Sequence, residues 1–95
     1  MRYHLVIKEE ATDEISDAFT WYEDHKEGLG SEFVSLLEEY IERITDKPFL
    51  YPQDNELRVA VMDRFPFKIV YGLEKKFVVV YAVFHTSRDP KKLKK

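Results

Sequence analysis

The sequence predicts an α+β domain of two layers, in which an N-terminal strand and a helical hairpin pack on an antiparallel sheet in the order β-α-α-β-β-β. Three observations lead there. Apolar residues alternate over residues 2–8, recur every three or four positions over the next forty, and return to alternation from residue 57.

In RYHLVIK (2–8), Tyr3, Leu5 and Ile7 share one face of a short strand, with His4 and Val6 on the other. Ala11, Ile15, Ala18 and Tyr22, spaced four, three and four apart, then form one stripe of a first helix. Glu9, Glu10, Asp13 and Glu14 load its first turns, where carboxylates favour the positive end of the helix dipole. Gly28 is expected as the left-handed cap that closes this helix. Ser31 or a neighbour opens a second helix, whose stripe is Phe33, Leu37, Tyr40 and Ile44, widened by Leu36 and Ile41, and Pro48 ends it. Two helices joined by a short glycine turn make an antiparallel hairpin.

Residues 48–56, PFLYPQDNE, carry two prolines and no period, which predicts a loop. Residues 57–62 place Leu57, Val59 and Val61 on one strand face and Arg58, Ala60 and Met62 on the other. After a turn at 63–66, Phe67, Ile69, Tyr71 and Leu73 alternate with Lys68, Val70 and Gly72. KFVVVYAVFH (76–85) is apolar on both faces and predicts a central strand. The helices need an apolar sheet face, and Leu57, Val59, Val61, Phe67, Ile69 and Tyr71 are expected to supply it. Arg58, Met62, Lys68 and Val70 would then share the face turned away. The three strands read as an antiparallel meander, and the pattern leaves strand order open.

Ninety-five residues suit one domain, 1–95, and 44% apolar with 15% aromatic residues suits a folded one. With no cysteine, a disulfide scaffold, a cysteine zinc site and a thiol nucleophile are excluded, and a cytoplasmic setting is expected. No apolar run reaches the ~18–20 residues of a membrane span, and the N-terminus turns acidic too soon for a signal peptide. The net charge of −3 argues against a protein devoted to gripping phosphates, but it hides a division. Residues 9–47 hold 13 acids and 3 bases, whereas residues 57–95 hold 3 acids and 10 bases. Acidic helices are therefore expected on one side and a basic sheet and tail on the other.

Several segments together resemble the RelE/ParE superfamily of type II toxin–antitoxin toxins, also called plasmid stabilisation proteins. They are EGLGSEFVSLLEEYIERI (27–44), the arginine opening the second strand (Arg58), FPFKIVY (65–71), and VFHTSRDP (83–90) with its His, two residues, Arg and Pro. The resemblance spans nearly the whole chain and implies a helical hairpin on an antiparallel sheet. It implies a growth-inhibiting toxin neutralised by a cognate antitoxin whose C-terminal part wraps it. The superfamily holds two chemistries: ParE-like members poison DNA gyrase by binding, and RelE-like members are ribosome-dependent mRNA endonucleases. FPFKIVY followed by H-x-x-R-x-P, with the overall acidity, places this sequence nearer the ParE-like branch. A non-toxic interaction module with the same fold is the third reading.

If the chain is a nuclease, Arg58, Lys68 and Arg88 would hold the scissile phosphate and His85 would act as general base or acid. The ordinary alternative makes His85 a strand-end residue bonded to backbone and Arg88 an anchor for the tail. As a binder, the chain would use Trp21, Arg58, Lys68 and Arg88 as partner contacts. Trp21 either covers the second helix or belongs to an exposed patch where a partner docks, since it lies about 100° from the inward Tyr22. His4, His25 and Arg64 read as structural or solvated, and Phe65-Pro66-Phe67 as a hairpin closure that inserts one ring into the core. The acids Asp13, Asp17, Glu23, Asp24, Glu38, Glu39 and Glu42 read as a solvated helix face, so no metal or other cofactor is expected. The free chain is expected to self-associate, if at all, through apolar surface that an antitoxin would cover. No membrane partner is expected.

Overall fold

The computed structural model describes residues 3–88. Its elements are β1 (His4–Ile7), α1 (Glu9–His25), α2 (Leu29–Asp46), β2 (Gln53–Asp54), β3 (Leu57–Val61), β4 (Phe67–Glu74) and β5 (Phe77–His85), with a 3₁₀ turn at Thr86–Arg88. Two helices pack on one face of a five-stranded sheet of order β1-β5-β4-β3-β2. The strands from β2 to β5 run antiparallel as a meander, and β5 lies between β1 and β4, as its two apolar faces predict. The sheet is mixed, however, because β1 runs parallel to β5, with His4 opposite Phe77 and Ile7 opposite Val80. That pairing joins segments seventy residues apart, so local periodicity carries no trace of it. The loop expected at 48–56 contains the two-residue edge strand β2, too short to show a period.

The hairpin turn departs from the expected capping. Gly28 does sit in the left-handed region (φ 87), but as the residue that opens α2 rather than the one that closes α1. No side chain of its own caps the new helix. Instead the Glu23 carboxylate reaches across the turn and accepts the N–H groups of Gly28 at 2.8 Å and Gly30 at 2.9 Å. These are orphan donors at a helix N-terminus, where a negative charge is also favoured by the dipole. Glu23 is thus a structural residue and not part of a solvated face.

Core packing explains the helix stripes. Ala11, Ala18 and Tyr22 of α1 and Phe33, Leu37, Tyr40, Ile41 and Ile44 of α2 are buried against Ile69, Tyr71, Val78, Val80 and Val83. The Tyr22, Phe33, Phe65 and Phe67 rings form one cluster, with Phe33 and Phe67 centroids 4.9 Å apart and Tyr22 and Phe65 at 5.0 Å. The Phe65-Pro66-Phe67 closure therefore buries both rings, one more than expected. The turn before it is tied to α2, because the Asp63 N–H donates to the Tyr40 hydroxyl at 2.9 Å.

Strand β3 overturns an expected face. Its inward residues are Ala60 and Met62, both buried, while Leu57 and Val61 are exposed on the other side. The register fixes this parity, since Ala60 pairs with Ile69 and Arg58 with Tyr71, and those partners are the fully buried inward residues of β4. Arg58 and Met62 thus lie on the helix-facing side, and only Lys68 and Val70 lie on the open side.

Strand β5 changes parity part-way. Val70 pairs with Ala82 but Tyr71 pairs with Val80, so Tyr81 is an extra residue with no opposite number. Before this bulge the even-numbered Val78 and Val80 point inward, and after it the odd-numbered Val83 and His85 share the inward face with Ile69 and Phe67.

Candidate functional site

The two faces of the sheet present different surfaces, and the sequence-predicted residues divide between them. On the open face, Leu57, Val59, Lys68, Val70, Tyr81 and Phe84 line a shallow depression of about 810 Å³. Leu57 and Tyr81 close over Gly72, where an added methyl would meet their side chains at 3.1 and 3.2 Å. Lys68 is half-buried here and sits between Val61 on β3 and Phe84 on β5. Asp54 and Glu56 stand at the β2 end of the same depression.

Arg58 lies on the other side of the sheet and is held in place. Its guanidinium donates to the Tyr51 carbonyl at 2.7 Å and the Gln53 side chain at 3.3 Å, and it stacks over the Phe49 ring at 5.2 Å. Those contacts pin the 49–53 segment against β3, so the arginine acts as a clasp for the loop. Arg58 and Lys68, which the nuclease reading joins with Arg88 around one phosphate, therefore lie on opposite faces of the sheet.

His85 is on the helix-facing side, but at the far end of β4 from Arg58. Arg58 pairs with Tyr71 and His85 with Phe67, four residues along the strand, or about 13 Å at the usual strand rise. The His85 ring meets Phe67 edge-on at 5.3 Å. Its Nδ1 accepts the Ser87 N–H at 3.1 Å and faces the Ser87 hydroxyl at 2.7 Å. A backbone N–H can only donate, so Nδ1 is the acceptor of the Ser87 bond. His85 thus ends β5 with its ring bonded to the backbone of the turn that follows. Arg88 closes the 3₁₀ turn; its side chain and the tail from Asp89 lie outside what the structure describes.

His85 and Trp21 border the same groove. Asp17, Trp21, Tyr22, Phe67, His85 and Ser87 border a groove of about 550 Å³ between α1 and the end of the sheet. Trp21 is 56% exposed, so it belongs to an open patch and does not cover α2. It is nonetheless held: its indole stacks on the His25 ring at 3.8 Å, and His25 Nδ1 donates to the Trp21 carbonyl at 2.7 Å. Ser87 was not singled out by sequence reasoning, and Asp17 was read as part of a solvated helix face. A visible signal pointed to Asp17, because Asp13, Asp17, Trp21 and His25 recur every fourth residue and so form one ridge of α1. Arg64, expected as a solvated charge, makes an exposed ion pair with Glu32 at 2.8 Å.

No protein-family model matches the chain, and no curated protein matches it in sequence. Among solved structures, a chain from the chromosomal ParDE TA (toxin–antitoxin) system of P. aeruginosa matches with a TM-score of 0.78. The match covers 88% of this chain and 96% of that one, at 11% sequence identity. The fold is RelE/ParE-like. Within the RelE/ParE-like fold, the helical hairpin supplies the Trp21 groove on one side of the sheet, and the meander supplies the Lys68 depression on the other. No helix of the described residues is long and apolar enough to cross a membrane.

Proposed function

We propose that this chain is the toxin component of a type II toxin–antitoxin module, that it acts by binding rather than by cleaving RNA, that DNA gyrase is its target, and that a cognate antitoxin neutralises it. The observation that carries the binding reading is the separation of Arg58 from Lys68. Within a RelE/ParE-like fold, one cation clasps a loop on the helix side while the other lies on the open face. Cleavage of RNA without a metal requires cations converging where negative charge develops, with an acid and a base beside them. His85 has its Nδ1 committed to Ser87 and stands one strand end away from Arg58. The apolar depression and the Trp21 groove are instead surfaces of the kind that protein segments cover.

The test is induction of the full chain in growing bacteria, with purified protein assayed on gyrase supercoiling and on translation in vitro. Growth arrest, inhibited supercoiling and intact translation are expected, with arrest relieved by co-expressing the antitoxin. Arrest with unimpaired gyrase would remove the target, and growth without arrest would leave only an interaction module. The mRNA-cleaving alternative predicts that H85A abolishes toxicity; the binding reading predicts that the variant stays toxic.

A further inference from the structure

Helix α1 carries seven carboxylates and no lysine or arginine between Glu9 and His25. Two of them, Asp13 and Asp17, continue the ridge that leads to Trp21, and Asp17 itself borders the groove. The groove's floor is apolar and aromatic, from Ala18, Tyr22 and Phe67. Its far rim is the His85–Ser87 turn, with no charged side chain described there. Trp21, 56% exposed, continues that apolar floor out to the surface, and a contiguous apolar patch rimmed by polar residues marks an interaction site. The charge on the helix beside it specifies what can sit there: a phosphate or an acidic peptide would be repelled, and a segment bearing lysine or arginine would be attracted.

We infer that the α1 groove is a docking site for a basic amphipathic protein segment, which places an apolar side chain against Trp21 and Phe67 and its lysines or arginines along Asp13 and Asp17. The inference rests on the reading of this chain as a binder and gives that binder a second surface, distinct from the Lys68 depression on the open face of the sheet. Trp21 is the anchor because stacking on His25 fixes the indole before the partner arrives, so little side-chain freedom is lost on binding. Asp13 and Asp17 set the sign and the alignment.

Trp21 is the chain's single tryptophan, so its fluorescence reports the groove directly. The full chain is titrated with a synthetic amphipathic peptide of leucines and lysines, and separately with the same peptide carrying glutamate for lysine. The expected result is a blue-shifted emission with the lysine peptide alone and one-to-one stoichiometry, with affinity falling about tenfold between 50 and 300 mM salt. The D13K/D17K double variant, altered only at exposed positions, should bind at least about tenfold more weakly. E38K, which makes the same type of charge change on α2, should stay within about twofold. Equal binding of both peptides, an unchanged emission, or an undiminished D13K/D17K affinity would each overturn the inference. Growth arrest on induction is read separately: toxicity without peptide binding rejects the groove, and peptide binding without toxicity rejects the toxin reading.

Discussion

Glu14 of α1 accepts the backbone N–H of Val83 in β5 at 2.7 Å, a helix side chain standing in for a missing strand. Strand β1 covers β5 only as far as Val80, where the Lys8 N–H makes the last bond of the parallel ladder. Beyond that point the edge of β5 would be bare at a half-buried position, and a carboxylate from the helix above fills the gap. Replacing Glu14 by Ala should therefore cost about 1–3 kcal/mol, because the Val83 donor loses its partner. Glu14→Gln, which keeps an acceptor oxygen, should cost less than half as much. Urea denaturation of the three proteins decides it, and equal losses for both variants would show that charge rather than acceptance matters.

The two glycines of the hairpin should respond in inverse order to their backbone strain. Gly28 has a positive φ but open space around it, so Gly28→Ala should cost about 1 kcal/mol. Gly30 has ordinary helical geometry, yet an added methyl would stand 2.6 Å from the Phe19 carbonyl, a backbone atom that cannot move aside alone. Gly30→Ala should then force α1 and α2 apart and cost about 2–3 kcal/mol. Thermal melts of both variants would reveal the order, and a milder effect at Gly30 would mean that the helices slide easily.

Tyr71 predicts an alkaline weakness. Its hydroxyl is buried and donates to the Pro48 carbonyl at 2.7 Å, and burial pushes its pKa up to about 12 from the usual 10. The folded state thus holds the proton more tightly than the unfolded chain does. That contribution to stability is complete below pH 10 and is lost as pH rises through 10 to about 12. Tyr71→Phe should be less stable near neutrality by about 1–2 kcal/mol, since the Pro48 carbonyl loses its donor. It should also show a shallower loss between pH 10 and 12, and parallel curves for the two proteins would contradict this account.

Arg58 and Lys68 should separate in stability measurements. Arg58→Ala releases the Tyr51 carbonyl and the Phe49 ring and should cost about 1–2 kcal/mol. Lys68→Ala, on the open face, should cost under half of that. Chemical denaturation distinguishes a loop clasp from a surface cation, and equal costs would return Arg58 to the latter class.

The helical hairpin was legible because α1 and α2 each bury one stripe, and β4 was legible because Phe67, Ile69 and Tyr71 are all buried on one face. The β3 faces were not. Leu57, Val59 and Val61 compete with Ala60 and Met62, and an apolar open face removes the contrast that normally fixes parity. The small Ala60 wins the inward place opposite Ile69, and three larger residues are left outside. Arg58 follows that parity, so its role as a clasp was hidden behind its charge. Its angle from Tyr22 allows Trp21 either to cover α2 or to join an exposed patch, and His85, which borders the same groove, arrives from sixty residues away through β5. Glu14 and Glu23 looked like any other acids, since their partners are backbone groups that no side-chain pattern reveals.

The unmatched Tyr81 gives β5 something like a reading frame. Straightening the strand with every residue kept would pair Tyr81 with Val70 and exchange the two faces for everything downstream. Val83 would leave the core, Phe84 would enter it, and His85 would cross to the side of Lys68. Deleting Tyr81 would instead leave Val80, Ala82, Val83 and His85 opposite their present partners in an unbroken ladder. The bulge is thus what keeps a strand one residue too long in phase with its neighbour, and the core can lose it only together with that residue.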